Sequence, residues 1–204
     1  MHRSPRVRSA GAMGEETFTV AVIDPSAARA AIVEEGLRAA GIARVAVIAE
    51  TEDLLARLAA INPDVVVIDL ASPSRDLLEQ LFSVTRVVAR PVAMFVDSTD
   101  AAMMEAAIDA GVSAYVVDGL RPERVKSIID VAILRFNAFG RLQQELEVAR
   151  SELADRKVIE RAKGLIMRAR GLSEDEAYAL LRRKAMNEKR KLAEIARAIV
   201  TASE

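Results

Sequence analysis

Two aspartates and one run of cations are the residues whose types and spacing could do chemistry. Asp24 closes the β-rich run VAVI at 20–23, and Asp69 closes VVVI at 65–68. In a parallel α/β sheet, ligands bind beyond the carboxyl ends of the strands, at the topological switch point. Two carboxylates converging there could hold Mg²⁺ and accept a phosphoryl group. The plainer alternative is that Asp24 caps a turn while Asp69 ends a buried strand. The cations lie between Arg156 and Lys191, where twelve Lys/Arg face five Asp/Glu, a net of +7. Residues 1–155 carry sixteen basic and twenty-three acidic side chains, a net of −7, and the last thirteen residues supply −1. The chain total of −1 over 204 residues hides this split. Opposite charge in the two parts points to two modules with different partners, the basic one suited to a polyanion.

Much other chemistry is excluded by composition. There is no cysteine, which removes thiolate nucleophiles, disulfides and cysteine zinc sites and suits a reducing cytoplasm. The one histidine, His2, lies in the opening MHRSPRVRSAGAMG, so histidine metal sites and Ser-His-Asp catalysis drop out. That opening has arginines with no apolar stretch behind them and reads as a disordered tail over 1–16, not as a secretory signal. Apolar runs are of strand length, too short to span a bilayer. Aromatics are 3% of the chain with no Trp, which argues against platforms that stack bases. No enzyme activity and no cofactor are expected.

The elements that must position these residues follow from periodicity. Short β-rich runs at 18–23, 45–48, 65–69, 91–96 and 114–117 alternate with helical patterns at 27–40, closed by Gly41, at 52–60, and from the Thr99/Asp100 cap to Ala110, closed by Gly111. Five strands with intervening helices in about 105 residues give a doubly wound, flavodoxin-like parallel sheet. After Pro122, a good first helical residue, no strong breaker appears until Gly171. Phe139, Leu142, Leu146, Ala149 and Leu153 recur at spacings of three and four, the seam of a coiled coil that pairs two chains. The alternative is an amphipathic helix folded back on its own domain. The last fifty residues read as three helices, the second opened by a capping box of Ser173 and Glu176, and a small helical bundle is the compact arrangement for them.

The order VAVID (20–24), PDVVVIDL (63–70), PVAMFVDS (91–98) and GVSAYVVDG (111–119) resembles the receiver domain of bacterial response regulators. The resemblance makes Asp69 the phosphoacceptor-like residue and Asp24 its acidic neighbour. It also marks departures: Pro25 stands for the second acid, Val96 for the hydroxyl residue and Asp118, followed by Gly119, for the lysine. Loss of a carboxylate weakens any Mg²⁺ site, which needs near-octahedral oxygen ligands. Each unit of charge change about 5 Å from the phosphate is worth roughly 3 kcal/mol at an effective dielectric near 20. The expectation is an atypical receiver over 17–135 that ordinary phosphorylation does not switch, with at most a weak Mg²⁺ site.

Residues 156–200 closely resemble the ANTAR domain, a three-helix RNA-binding module of bacterial antiterminators. The match rests on Arg156, Ile159, Ala162-Lys163-Gly164, Met167, Gly171-Leu172-Ser173, Glu176-Ala177, Leu181-Arg182, Ala185-Met186 and Arg190-Lys191-Leu192 before Ala196. The strings MFVDSTD (94–100) and AYVVDGL (114–120) resemble the NasT type, which implies nitrate or nitrite assimilation, a nitrate-sensing partner and paired stem-loops in leader RNA. The expected division is therefore 17–135 receiver, 136–155 coiled-coil linker and 156–204 ANTAR domain. Candidate RNA-binding residues are Arg156, Lys157, Arg161, Lys163, Gly164, Arg182, Arg183, Lys189, Arg190 and Lys191, cations suited to phosphates and unpaired loop bases. Gly164 is read as a site of close backbone approach, Met167 and Met186 as core, and Tyr178 as core or rim. The function expected is a cytoplasmic, homodimeric, signal-controlled antiterminator. The alternative is a DNA-binding response regulator switched by phosphorylation of Asp69.

Overall fold

The computed structural model describes residues 18–71, 75–117 and 121–203, and the chain separates into two compact units that meet in sequence at Gly140 and Arg141. The expected tail 1–16, and Asp118 with Gly119, lie outside the described residues.

The first unit alternates strand and helix: β1 (Thr19–Ile23), α1 (Ala27–Ala39), β2 (Arg44–Ile48), α2 (Leu54–Ile61), β3 (Val65–Leu70), α3 (Arg75–Val87), β4 (Val92–Val96), α4 (Ala101–Asp109) and β5 (Ala114–Val117). All five strands are parallel, in the order β2-β1-β3-β4-β5. That order is the flavodoxin-like one, with its switch point between β1 and β3. Every residue of β3 is buried, as its run of β-branched residues demands of a strand covered on both faces. Side chains alternate across the sheet, so Val20, Val22, Val67 and Phe95 form one core layer with Val33 and Leu37 of α1, while Ile23, Ile68, Met94 and Val96 form the other with Leu58, Leu81 and Ala107. Helix α2 begins two residues later than periodicity suggests, because Asp53 takes a left-handed conformation (φ 51°) and ends the preceding turn.

Helix α5 (Pro122–Arg170) runs from the first unit into the second without a break at Gly140. In the first unit its residues Val125, Ile129, Ala132 and Ile133 are buried against the α1 layer. The second unit continues α5 with α6 (Glu174–Glu188) and α7 (Leu192–Thr201). Gly171, at φ 65°, stops α5 in the left-handed conformation that favours glycine. Ser173 then caps α6: its hydroxyl accepts from the Glu176 amide, and the Glu176 carboxylate accepts from the Ser173 amide at 2.8 Å. Ala162 and Ile166 of α5, Ala177, Leu181 and Ala185 of α6, and Ile195, Ala196 and Val200 of α7 form one small core. Each large aliphatic buried there is worth about 1.5–3 kcal/mol, which is what holds so small a bundle. Arg197 of α7 ties back to Asp155 of α5 through an ion pair.

Candidate functional site

The carboxyl ends of β1, β3 and β4 bring together three acids. Asp24 and Asp69 are 1% and 3% exposed, and Asp97 follows β4 at the surface. Asp24 does cap a turn, its Oδ1 accepting from the Ser26 amide at 2.8 Å. Ser26 in turn caps α1, and that helix start delivers an arginine into the acids. The Arg29 guanidinium donates from Nη2 to Asp69 Oδ1 at 2.7 Å and from Nη1 to Asp97 Oδ2 at 2.9 Å. Its Nε faces Asp24 Oδ2 at 4.0 Å, a Coulomb contact in which neither buried atom has a hydrogen-bond partner. The hydrogen bond to Asp69 raises the Arg29 pKa above its ordinary range, with Asp97 adding to it. Burial raises the Asp24 pKa, partly offset by the Ser26 amide.

Val96, read as standing at the hydroxyl position, ends β4 fully buried and offers no donor to Asp69. It pairs in register with Leu70, and the period of two sends its side chain into the opposite core layer. The residue that flanks Asp69 from β4 is Asp97. The nearby hydroxyl, Thr99, is 2.7 Å from the Tyr115 phenol instead. Pro25, next to Asp24, is exposed. Nor do the residues present fit a resident Mg²⁺. The ion needs oxygens near 2.0–2.1 Å around it, whereas the space between Asp69 and Asp97 holds a guanidinium of like charge. Among the described residues no cluster of three or more acidic, His or Cys side chains could hold a metal.

In the second unit the predicted basic residues divide. Arg156, Lys157, Arg182, Arg183, Lys189 and Lys191 are exposed and make no ion pair among the described residues. Arg190 is exposed but held by Glu188 and Glu194 at 3.3 and 3.4 Å, and Arg161 is exposed. Lys189 takes a left-handed conformation (φ 51°) as the C-cap of α6, and Lys191 precedes α7, so the turn between them displays three consecutive cations. Lys163 is placed differently from the expectation. It is 7% exposed, and its ammonium lies 2.6 Å from Glu174 and 2.9 Å from Glu160. The bond to Glu174 raises the lysine's pKa, and the same bond lowers that of Glu174. Lys163 therefore clamps α5 to the first turn of α6, where Glu174 also suits the positive helix end. A Cβ on Gly164 would meet only Arg168 Nη1 at 3.7 Å, so internal packing does not require glycine there.

Met186 is no core residue: it is 69% exposed. With Tyr178 and Arg182 it lies at spacings of four along α6, so those three side chains share one displayed face. Sequence patterning places Met186 on one apolar face of α6 with Ala177, Leu180, Leu181 and Ala185, of which the structure buries Ala177, Leu181 and Ala185. Met167 is half-buried against the bundle core, as read. On α5, the seam residues Phe139 and Leu142 are each 63% exposed, and Leu146, Ala149 and Leu153 are exposed too.

These features define a receiver-like α/β unit followed by a small helical bundle. The ANTAR domain family model matches residues 147–200. Over 139 residues the chain is 27% identical to the transcriptional regulatory protein PdtaR of Mycobacterium tuberculosis, covering 68% of each. Over 76 residues it is 32% identical to the nitrate regulatory protein of Klebsiella oxytoca, covering 37% of this chain but 19% of that one. Among solved structures, a CheY-like response regulator receiver domain from Methanospirillum hungatei superposes with a TM-score of 0.51 at 16% identity, covering 59% of this chain and 97% of that one. A pilus assembly-related protein from Burkholderia pseudomallei gives 0.53 at 17%, covering 60% and 94%, and these two likenesses speak to the fold alone. The chain thus joins a receiver-like α/β fold to a C-terminal segment that matches the ANTAR domain. No described helix is long and apolar enough to cross a membrane.

Proposed function

We propose that this protein is a signal-controlled RNA-binding antiterminator, without catalysis of its own, that binds paired stem-loops in leader mRNA in the cytoplasm. The observation that carries the reading is the displayed basic surface of the C-terminal bundle. Arg156, Lys157, Arg182, Arg183, Lys189 and Lys191 stand exposed, with no ion pair among the described residues, in a segment that matches the ANTAR domain. Such cations suit phosphates, and the exposed Tyr178, Arg182 and Met186 beside them suit the unstacked bases of a loop. RNA specificity comes mainly from such bases.

Two recognition modules are needed for paired hairpins, and the unpartnered seam from Phe139 to Leu153 supplies a way to join two chains. Linking two modest sites multiplies avidity when the spacing matches. Likeness to a nitrate regulatory protein supports nitrate or nitrite assimilation genes as the target and a nitrate-sensing protein as the restraint. A DNA-binding reading switched at Asp69 is disfavoured by the 2.7 Å bond that already engages that carboxylate.

A gel-shift titration with the full chain at fixed salt, comparing a hairpin RNA pair with duplex DNA of equal charge, tests the proposal. Tighter binding to the paired hairpins than to a single hairpin, and than to the duplex, is expected. Preference for the duplex overturns it.

A further inference from the structure

We infer that Arg29 is a built-in counter-cation, a covalently tethered substitute for a divalent ion, which neutralises the acidic pocket and ties the segment after β4 to it. The inference concerns the first unit alone and stands whether or not the bundle binds RNA.

Two carboxylates buried side by side cannot both stay charged without a cation near them. In this pocket the cation arrives on the chain. Each of the three guanidinium nitrogens faces a different acid: Nη2 faces Asp69, Nη1 faces Asp97 and Nε faces Asp24. The planar fork of arginine suits this division, which a point charge such as lysine could not reproduce. A second feature marks the residue as placed for the acids and not for its helix. Arg29 sits in the first turn of α1, where the helix end is positive and a cation is disfavoured. Breaking that local rule is compensated only by the three carboxylates.

The buried Asp24 Oδ2 is the telling atom. It has no hydrogen-bond partner and points at the guanidinium. Asp24 and Asp69 thus form a metal-type donor pair whose centre of charge is already filled. A filled pocket has two consequences. Its charge balance does not depend on ion concentration, and the Asp69 oxygen facing Arg29 is engaged before any phosphoryl donor arrives. Through Asp97 the same guanidinium also fixes the chain two residues ahead of Thr99, whose hydroxyl bonds Tyr115.

The test uses full-length wild type, Arg29→Gln, Arg29→Lys and the double variant R29Q/D69N. Thermal unfolding is compared in chelator and in about 10 mM MgCl2, and Mn²⁺ binding is followed by the loss of its free-ion electron paramagnetic resonance signal, since a ligand that binds only the folded state raises its Tm. Wild type and R29K are expected to unfold at the same temperature with and without Mg²⁺ and to leave Mn²⁺ free. R29Q should unfold several degrees lower in chelator, recover with Mg²⁺ and bind one Mn²⁺. In R29Q/D69N both the recovery and the Mn²⁺ binding should vanish. Should R29Q not fold in chelator, folding on addition of Mg²⁺ is the expected result. Mg²⁺ stabilisation of wild type equal to that of R29Q, or an R29Q chain indifferent to both ions, overturns the inference.

Discussion

The two units treat charge in opposite ways. In the receiver-type unit the functional-looking acids are buried and answered from within: Asp69 and Asp97 bond Arg29, and Asp24 bonds the Ser26 amide. In the C-terminal bundle the cations Arg156, Lys157, Arg182, Arg183, Lys189 and Lys191 are left at the surface with no ion pair among the described residues, and the buried Lys163 is paired twice. Charge matched inside a fold stabilises a conformation. Charge displayed in excess is free to meet a partner of opposite sign. On the proposed function the displayed cations of the second unit would meet RNA, whereas the acids of the first are answered by Arg29 and the Ser26 amide.

The sharpest way to break that comparison is to strip the displayed charge. Replacing Arg182, Arg183 and Lys189 together by Ala should leave the bundle folded by circular dichroism, because all three are exposed. If each touches a phosphate, hairpin affinity near physiological salt should fall roughly 10- to 100-fold and the log–log salt slope should shrink by about two. Binding and slope equal to wild type would mean the displayed cations face only water. A parallel Lys163→Met variant sharpens the contrast. It should lower the bundle's Tm while leaving the salt slope of the folded fraction unchanged, since its ammonium is committed to Glu174 and Glu160.

A smaller effect is expected at the seam. Leu142→Lys with Leu146→Lys places two like charges on each chain where two copies would meet. Sedimentation should report a monomer, and affinity for paired hairpins should drop toward that for a single hairpin, on the order of tenfold or more. A variant that remains dimeric would move the dimer contact off this helix.

About 1 kcal/mol is at stake in the capping box. Ser173→Ala removes the hydroxyl acceptor for the Glu176 amide and should cost about that much stability. Urea unfolding reads it directly. Hairpin binding at a temperature where both proteins are folded should not change.

The elements were largely legible because their signals are local. Strand runs at β1, β3, β4 and β5, the glycine stops and the S-x-x-E cap are written within a few residues, and the structure has them. The pocket was only half legible for the opposite reason. Asp24 and Asp69 show themselves at strand ends, but Arg29 reaches an aspartate forty residues away and another sixty-eight away. Two signals could have found it: a lone cation in the first turn of α1, and the period of two that puts Asp97, not Val96, beside Asp69. Lys163 misled for a related reason. Its position on a basic helix says nothing of the two carboxylates that fold onto it, one of them across the turn at Gly171.

The finest distinction between the units lies in their response to acid. Burial raises the Asp24 pKa above the ordinary 3.8, so the charged carboxylate costs the first unit stability at neutral pH. As pH falls through the raised value, the folded state takes up that proton before the unfolded chain does, and the cost is relieved. In the bundle the signs reverse. Lys163 lowers Glu174, and the Ser173 amide and hydroxyl lower Glu176, both below the ordinary 4.5. Their contribution is complete above that value and is lost as pH drops through the lowered ones, when the folded state must also protonate. The two tyrosines, Tyr115 and Tyr178, lie one in each unit, so replacing either by Phe leaves a single fluorescent reporter of the other. Between about pH 6 and pH 3, Asp24→Asn should remove an acid-favoured component from unfolding read at Tyr115. Glu174→Gln should remove an acid-sensitive component from unfolding read at Tyr178. Identical pH profiles for either variant and its parent would show that the corresponding carboxylate is not coupled to folding, and would erase the contrast between the units at that residue.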